Sequence, residues 1–255
     1  MKNKNLDKII NTRFGSNLVY QEHLARYKFI KRSVQGKSIL EVGCGIGDGT
    51  FELAKCAERV IAVELDRKRL KLAFDFFSHP HINYIIMDGC RLGFKDESFD
   101  IVISFEVIEH LEDQERYLSE IRRVLKNGGM AIISTPNKDI IRVEGIPNNP
   151  EHVKELNKNE FMYLLEKFFQ KVELYAQRKG RKIIGITGII HHILRFLDIF
   201  KLRKLFPQRL KNAVSERIST ATGAKRDEDI LSYDFVITKR GIRFGRNLIG
   251  ICKKL

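Results

Sequence analysis

Residues 38–49 read SILEVGCGIGDG, an aliphatic run that breaks into glycines at 43, 45, 47 and 49. The run has the length and side-chain character of a buried strand. The alternating glycines supply backbone that tolerates left-handed torsion and that a ligand can approach without side chains in the way. A helix-like stretch, TFELAKCA, follows at once. Strand, glycine turn and helix in that order open an α/β unit that binds a ligand at its turn. A dinucleotide fingerprint needs GxGxxG, and counting from Gly43 puts Asp48 where its last glycine belongs. Carboxylates at Glu41 and Asp48 bracket the turn. They disfavour a pyrophosphate and favour a cationic ligand.

Downstream, RVIAVEL (59–65), INYIIM (82–87), FDIVISF (99–105) and GMAIIST (129–135) alternate with amphipathic stretches at Leu70 to Phe77 and Gln114 to Leu125. Short apolar strands separated by helices predict an α/β domain with a parallel sheet. Upstream, Leu24, Tyr27 and Ile30 fall at helical spacing and predict a helix over Val19 to Ser33 that leads into the domain. Lys126 to Gly129 reads as a helix stop followed by a turn. A loop with Gly145, Pro147 and Pro150 comes next, then a helix near Lys158 to Phe168, a strand near Val172 to Ala176 and a last strand near Asn247 to Cys252. The expected organisation is an N-terminal helical segment over the pocket (1–36), a binding core (37–178) and a basic insert with the final strand in the same domain (179–255).

Two more acids stand where strands end. Glu64 closes the second strand, where a carboxylate can accept both hydroxyls of a ribose. Asp88 follows the third and can accept an exocyclic amine, while the amide of Gly89 or Cys90 donates to a ring nitrogen. Open α/β sheets bind ligands along this edge.

From about Lys37 to Asn137 the chain resembles the class I S-adenosylmethionine-dependent methyltransferases. EVGCGIG is similar to the family's acidic and glycine loop, VIAVELD to its ribose segment, and MDGCRLGFKDESFDIVISFEVIEHL to its adenine and active-site segments; EIRRVLKNGGMAIISTPN completes the order. The resemblance implies a doubly wound, seven-stranded, mostly parallel Rossmann-like sheet with an antiparallel last strand, which suits RNLIGICKK at the end. It implies S-adenosylmethionine as cofactor, held by Glu41, Gly43, Cys44, Gly45, Gly47, Glu64, Leu65, Asp88, Gly89 and Phe105.

Transfer from a sulfonium is an in-line displacement that rests on alignment, and a hydroxyl acceptor must also lose a proton. Two histidines are the candidate catalytic groups. His110, after the fourth strand in FEVIEHL, is a base or an acceptor-positioning group, the alternative being a packed or capping residue. His152, in NNPEHVKELNKNEF, precedes a helix. Tyr20, His23 and Tyr27 face either the acceptor or the core. His79 and His81 flank Pro80 with no carboxylate or thiol cluster, so no metal site is expected. His191 and His192 carry no assignment.

The leading acceptor is a saccharide, on a lipid carrier or in a surface polysaccharide, because STPN, NPEHVKELNKNEF and the late YDFVITKRGIRFGRNLIGICKK are similar to bacterial glycan-assembly methyltransferases. The alternatives are a quinone precursor or amine, or RNA contacted by the basic C-terminal third. Residues 178–255 hold 19 Lys and Arg against 6 Asp and Glu, and the rest of the chain 27 against 26, so basic charge concentrates at that end. Within it, residues 189–212 combine apolar and cationic positions that suit an anionic membrane surface or a lid. Cys44, Cys56, Cys90 and Cys252 are widely spaced, which argues for reduced thiols. With no leader-like start or spanning segment, a cytoplasmic place, peripheral at a membrane at most, is expected.

Overall fold

The computed structural model describes residues 16–144, 149–180 and 232–255. The chain divides into two compact units, residues 26–178 with 237–255 and residues 1–25 with 179–236. The first of these carries the sheet and is built from α1 (Asn17–Ile30), whose second half it includes, β1 (Ser38–Val42), α2 (Asp48–Ala54), β2 (Arg59–Glu64), α3 (Arg67–Phe76), β3 (Ile82–Ile86) and β4 (Phe99–Phe105). A 3-10 turn (Ile108–His110), α4 (Gln114–Val124), β5 (Leu125–Pro136), α5 (Lys138–Glu144), α6 (Lys158–Glu166), β6 (Lys171–Lys179), β7 (Phe235–Thr238), of which this unit includes only the second half, and β8 (Asn247–Lys253) follow. In the other unit, the described residues Leu18, Ala25 and Phe235 form a small apolar cluster, and Gly180 N donates to Asp234 O at 2.7 Å.

The strand order is β3-β2-β1-β4-β5-β8-β6-β7. The first five strands are parallel, and β8 enters antiparallel between β5 and β6. The mostly parallel sheet with an antiparallel last strand is as expected. The count differs, since β7 adds an eighth strand at the edge that the sequence pattern does not announce in four residues.

Alternation along each strand splits the core into two layers. Leu40, Val42, Val102 and Ile133 point to the face covered by α4 and α6, where Tyr117, Phe161 and Leu165 are fully buried. Ile39, Ile101, Ile103 and Ile132 point to the opposite face with Tyr27, Ile30 and Leu53 of α1 and α2. Each such side chain contributes about 1.5–3 kcal/mol of burial.

Several boundaries depart from the sequence reading for local reasons. The helix expected from Leu70 begins at Arg67 because Asp66 caps it, accepting from Lys68 N and Arg69 N. Those amides hold the Asp66 carboxyl below the usual carboxylate range. The expected Lys158 to Phe168 helix stops at Glu166 but starts with a capping box between Asn157 and Glu160. Lys126 to Gly129 is not a free turn. It is a bulge inside β5, between the pairs Phe99–Leu125 and Ile101–Met130, and Gly128 N and Gly129 O bond to Lys254. The stretch expected as loop after Pro136 is helical over Lys138–Glu144, because the Asn137 carbonyl accepts from Ile140 N and Ile141 N. Gly145, Pro147, His191, His192 and the whole of 189–212 lie outside the described residues.

Candidate functional site

Because β1 to β4 are parallel, the carboxyl ends of all four share one edge, and the glycine turn caps that edge. Gly43, Gly45 and Gly47 each take a left-handed φ, of 80°, 59° and 82°. A Cβ on Gly43 would overlap Val107 Cγ2, so the turn lies against the chain just past β4. Gly45 N donates to Glu64 Oε2 at 2.8 Å, and Leu65 N and Asp66 N donate to Glu64 Oε1 at 3.0 Å each. Four lone-pair sites against three donors leave Oε2 able to accept one more. Leu65, beside it, is 65% exposed, a large apolar side chain bare at the strand end.

Asp88 lies two residues past β3, half-buried, and accepts from Cys90 N at 2.8 Å on Oδ1. A carboxylate has lone pairs for further donors. Gly89 packs under Tyr117 and Val42. Carboxylate acceptors, a bare glycine backbone and an exposed apolar residue together suit the hydroxyl and amine donors and the flat ring of an adenosyl group.

Three of the expected binding residues are turned elsewhere. Glu41 points to the α1 and α2 face, where it is buried and accepts from Tyr27 Oη at 2.7 Å and Thr50 Oγ1 at 2.5 Å. It acts on the turn by tying two helices beneath it. The Cys44 side chain packs in the core with Ala62 and Leu70, so that only its main chain faces the turn. Phe105 is buried edge-on against Tyr27, with ring centroids 5.1 Å apart. All four cysteines are free thiols. Tyr20 and His23 belong to the first half of α1, in the other compact unit. The His79 and His81 rings meet edge-on at 5.1 Å in the turn before β3.

The turn after β4 brings together residues the sequence holds far apart. Glu106 takes a left-handed φ of 55° and accepts from Ser134 Oγ at 2.6 Å. Ile108–His110 then form the 3-10 turn, onto which residues 151–156 are clamped: Val153 N and Lys154 N donate to Glu109 O, and Gln114 Nε2 bridges Ile108 O and Lys154 O. His110 and His152 thereby meet edge-on, centroids 4.9 Å apart. Between them and the sheet sits Glu109, fully buried; burial and then the charge of Glu106 push its carboxyl well above the usual carboxylate range. Thr135 Oγ1 reaches Glu109 Oε2 at 3.3 Å, while Oε1 has no hydrogen-bond partner. Among the described residues Glu109, His110 and His152 form a group able to hold a metal ion, one ligand atom from each lying within 4.8 Å of the others. No metal site was expected from the sequence, and Glu109 was missed. The spacing E-x-x-E-H at 106–110 is the one signal that pointed there.

A family model described as a methyltransferase domain matches residues 40–133, the span that holds this turn, both strand-end acids and the 3-10 turn. The chain carries a class I S-adenosylmethionine-dependent methyltransferase domain. The family implies S-adenosylmethionine as the cofactor of that domain. A Mycolicibacterium smegmatis protein named a probable S-adenosylmethionine-dependent methyltransferase is 36% identical over 151 residues, which are 59% of this chain and 58% of that protein. The chain thus spans under two thirds of this relative's length. A Coxiella burnetii ubiquinone biosynthesis O-methyltransferase is 29% identical over 177 residues, 67% of this chain and 75% of that protein. An S-adenosylmethionine-dependent methyltransferase from Archaeoglobus fulgidus has the same fold, with a TM-score of 0.60 at 18% identity, over 96% of this chain and 98% of that one. No helix among the described residues is long and apolar enough to cross a membrane.

Proposed function

We propose that the protein transfers the sulfonium methyl of S-adenosylmethionine to an oxygen of a small hydroxylated acceptor, a phenol of the quinone-precursor type. The observation that carries this reading is the pair of imidazoles, His110 and His152, held edge-on just past β4 at the same sheet edge as Glu64 and Asp88. A hydroxyl needs help to lose its proton at neutral pH, and polar groups of this kind supply it. The likeness to the Coxiella burnetii O-methyltransferase supports an oxygen acceptor of small size. The saccharide acceptor expected from the terminal segments finds no support among these relatives.

In this reading Gly43, Gly45, Gly47 and the main chain of Cys44 take the aminoacyl end of the cofactor. Glu64 takes the ribose, Leu65 the adenine face, and Asp88 with Gly89 the adenine edge. Glu41 and Phe105 hold the floor through Tyr27. A panel of catechols, monosaccharides, lipid-linked glycans, amines and short RNAs, read by formation of S-adenosylhomocysteine, tests the proposal. Turnover is expected with the catechols. Turnover confined to saccharides, amines or RNA would overturn the acceptor class.

A further inference from the structure

We propose that the loop between β7 and β8 binds a phosphate group carried by the methyl acceptor, as an ester or a diphosphate. That the phosphate belongs to the acceptor rests on the reading above. The oxyanion site itself stands on charge, side-chain geometry and placement.

Residues 239–246 read KRGIRFGR, four cations and no acid in eight positions. Lys239 is engaged, its Nζ 2.9 Å from Glu173 Oε2. Arg240 and Arg243 are exposed, and neither pairs with a carboxylate among the described residues. Arg178, near the end of β6, joins them and is equally bare of a carboxylate there. A Cβ on Gly241 would stand 3.5 Å from Arg178 Nη1 and 3.6 Å from Phe244 Cδ2, so guanidinium and ring flank the same glycine. All of these residues belong to the unit that carries the glycine turn. Three guanidiniums in so small a space repel one another, and a bound anion offsets the repulsion. A phosphate ester, with close to two charges, offsets more of it than a carboxylate does.

Side-chain geometry favours the same ligand. Arg243 Cζ lies 4.6 Å from the centroid of the Phe244 ring, which is itself 59% exposed. Contact with a ring restrains a guanidinium without using its N–H groups, and their planar fork matches two oxygens of a phosphate. The backbone beneath is fixed. Phe244 N and Gly245 N donate to Gly241 O and Ile242 O, and Arg246 N donates to Gln177 O. A Cβ on Gly245 would overlap that of Ala176, so the loop lies directly on β6.

Placement then connects the loop to the acceptor side. β5 ends where β8 begins, at the pair Pro136–Asn247, on the carboxyl edge of the parallel strands. Asn137 N and Nδ2 donate to Arg246 O and Gly245 O at 2.7 and 2.9 Å. The same residue bridges to Leu156, in the stretch that carries His152. One buried asparagine thus ties the basic loop to the segment holding the paired imidazoles. β8 and β6 are two and three strands from β4. At about 4.8 Å per strand, the phosphate stands roughly 10–15 Å from the reacting oxygen. A single anionic group fits better than a chain of them. Glu106, Glu151 and Glu155 belong to the acceptor side, and their charge opposes a polyanion that runs on from the loop.

Calorimetric titration of the full chain with sodium diphosphate, in about 0.15 M NaCl so that diffuse attraction is screened, tests the site. Saturable uptake of one equivalent is expected. Arg240→Gln and Arg243→Gln should each weaken it about 10-fold or more, as loss of a charge-assisted bond does. Lys37→Gln makes the same charge change at the opposite edge of the sheet, before β1, and should leave uptake as it was. Uptake of S-adenosylhomocysteine by each variant serves as the check of folding. No saturable uptake, or equal uptake by all three variants, would overturn the site. Binding of a short RNA or of phosphatidylglycerol vesicles by protein that takes up no free diphosphate would overturn it in favour of a nucleic acid or a lipid surface.

Catechols joined to a terminal phosphate by alkyl chains that span the gap then test its place on the acceptor. Their KM should fall about 10-fold or more below that of the matching alcohols, with kcat little changed, and the advantage should vanish in Arg243→Gln. Equal KM for phosphate and alcohol would overturn the assignment to the acceptor. Uptake of diphosphate at the loop with no turnover of any catechol would instead remove the phenol reading and leave the oxyanion site standing.

Discussion

At Gly43 two constraints coincide. Its φ of 80° is one that L side chains rarely adopt, and any Cβ there overlaps Val107 Cγ2. Left-handed torsion alone costs about 1–2 kcal/mol for a residue with a side chain. Gly43→Ala should therefore lower stability by about 1–2 kcal/mol through torsion alone and, because the turn must move away from Val107, weaken uptake of S-adenosylhomocysteine. Calorimetric titration reads it, and an alanine variant that binds as tightly as the unmodified protein would remove the turn from cofactor contact. Gly43 and Glu64 could be picked from the sequence because turn torsion and strand-end position are local properties. The direction of Glu41 could not, since it depends on Tyr27 and Thr50 covering that face of the sheet. Glu109 was hidden for a related reason: only when residues 151–156 fold onto the 3-10 turn does its carboxylate lose solvent and gain His152 as a neighbour.

Among the elements, α4 does more than cover the sheet. Arg123, near its end, donates to Leu92 O and Phe94 O and pairs with Asp96 and Glu120, while Leu92 N donates to Glu120 Oε2. One guanidinium and one carboxylate thus fasten the loop that follows Asp88. The bond from Arg123, opposed by burial and aided by the Leu92 amide, holds the Glu120 carboxyl below its ordinary value. A carboxylate with a depressed folded-state pKa stabilises the fold above its unfolded value, about 4.3, and that contribution disappears as pH falls through the folded value. Glu120→Gln should cost up to about 1 kcal/mol at pH 7, in keeping with a partly exposed pair, and progressively less below about pH 4.3. Urea midpoints of both proteins between pH 3 and 7 check this, and a gap that stays constant with pH would exclude the ion pair as its source. None of this network was readable beforehand. The α4 stretch itself was, because Tyr117, Leu118, Ile121 and Val124 repeat at helical spacing on the buried face.

For the molecule as a whole, the parallel strands β1 to β5, the glycine turn and both strand-end acids fall inside one compact unit, residues 26–178 with 237–255. A ligand that binds only the folded form of that unit must raise the temperature at which it unfolds. At 100 times its dissociation constant the ligand adds about 2.7 kcal/mol, and a domain of 150–250 residues gains about 2–4 °C per kcal/mol. S-adenosylhomocysteine at that excess should therefore shift the main transition by roughly 5–10 °C, read by scanning calorimetry. Adenosine lacks the homocysteine arm that the glycine turn receives, so it should shift the transition less at equal concentration. Equal shifts from the two compounds would mean that the arm gains nothing from the turn, and the binding role would then pass to Glu64 and Asp88 alone. A larger shift from S-adenosylhomocysteine that shrinks to the adenosine value in Gly43→Ala would assign the difference to the bare backbone between β1 and α2.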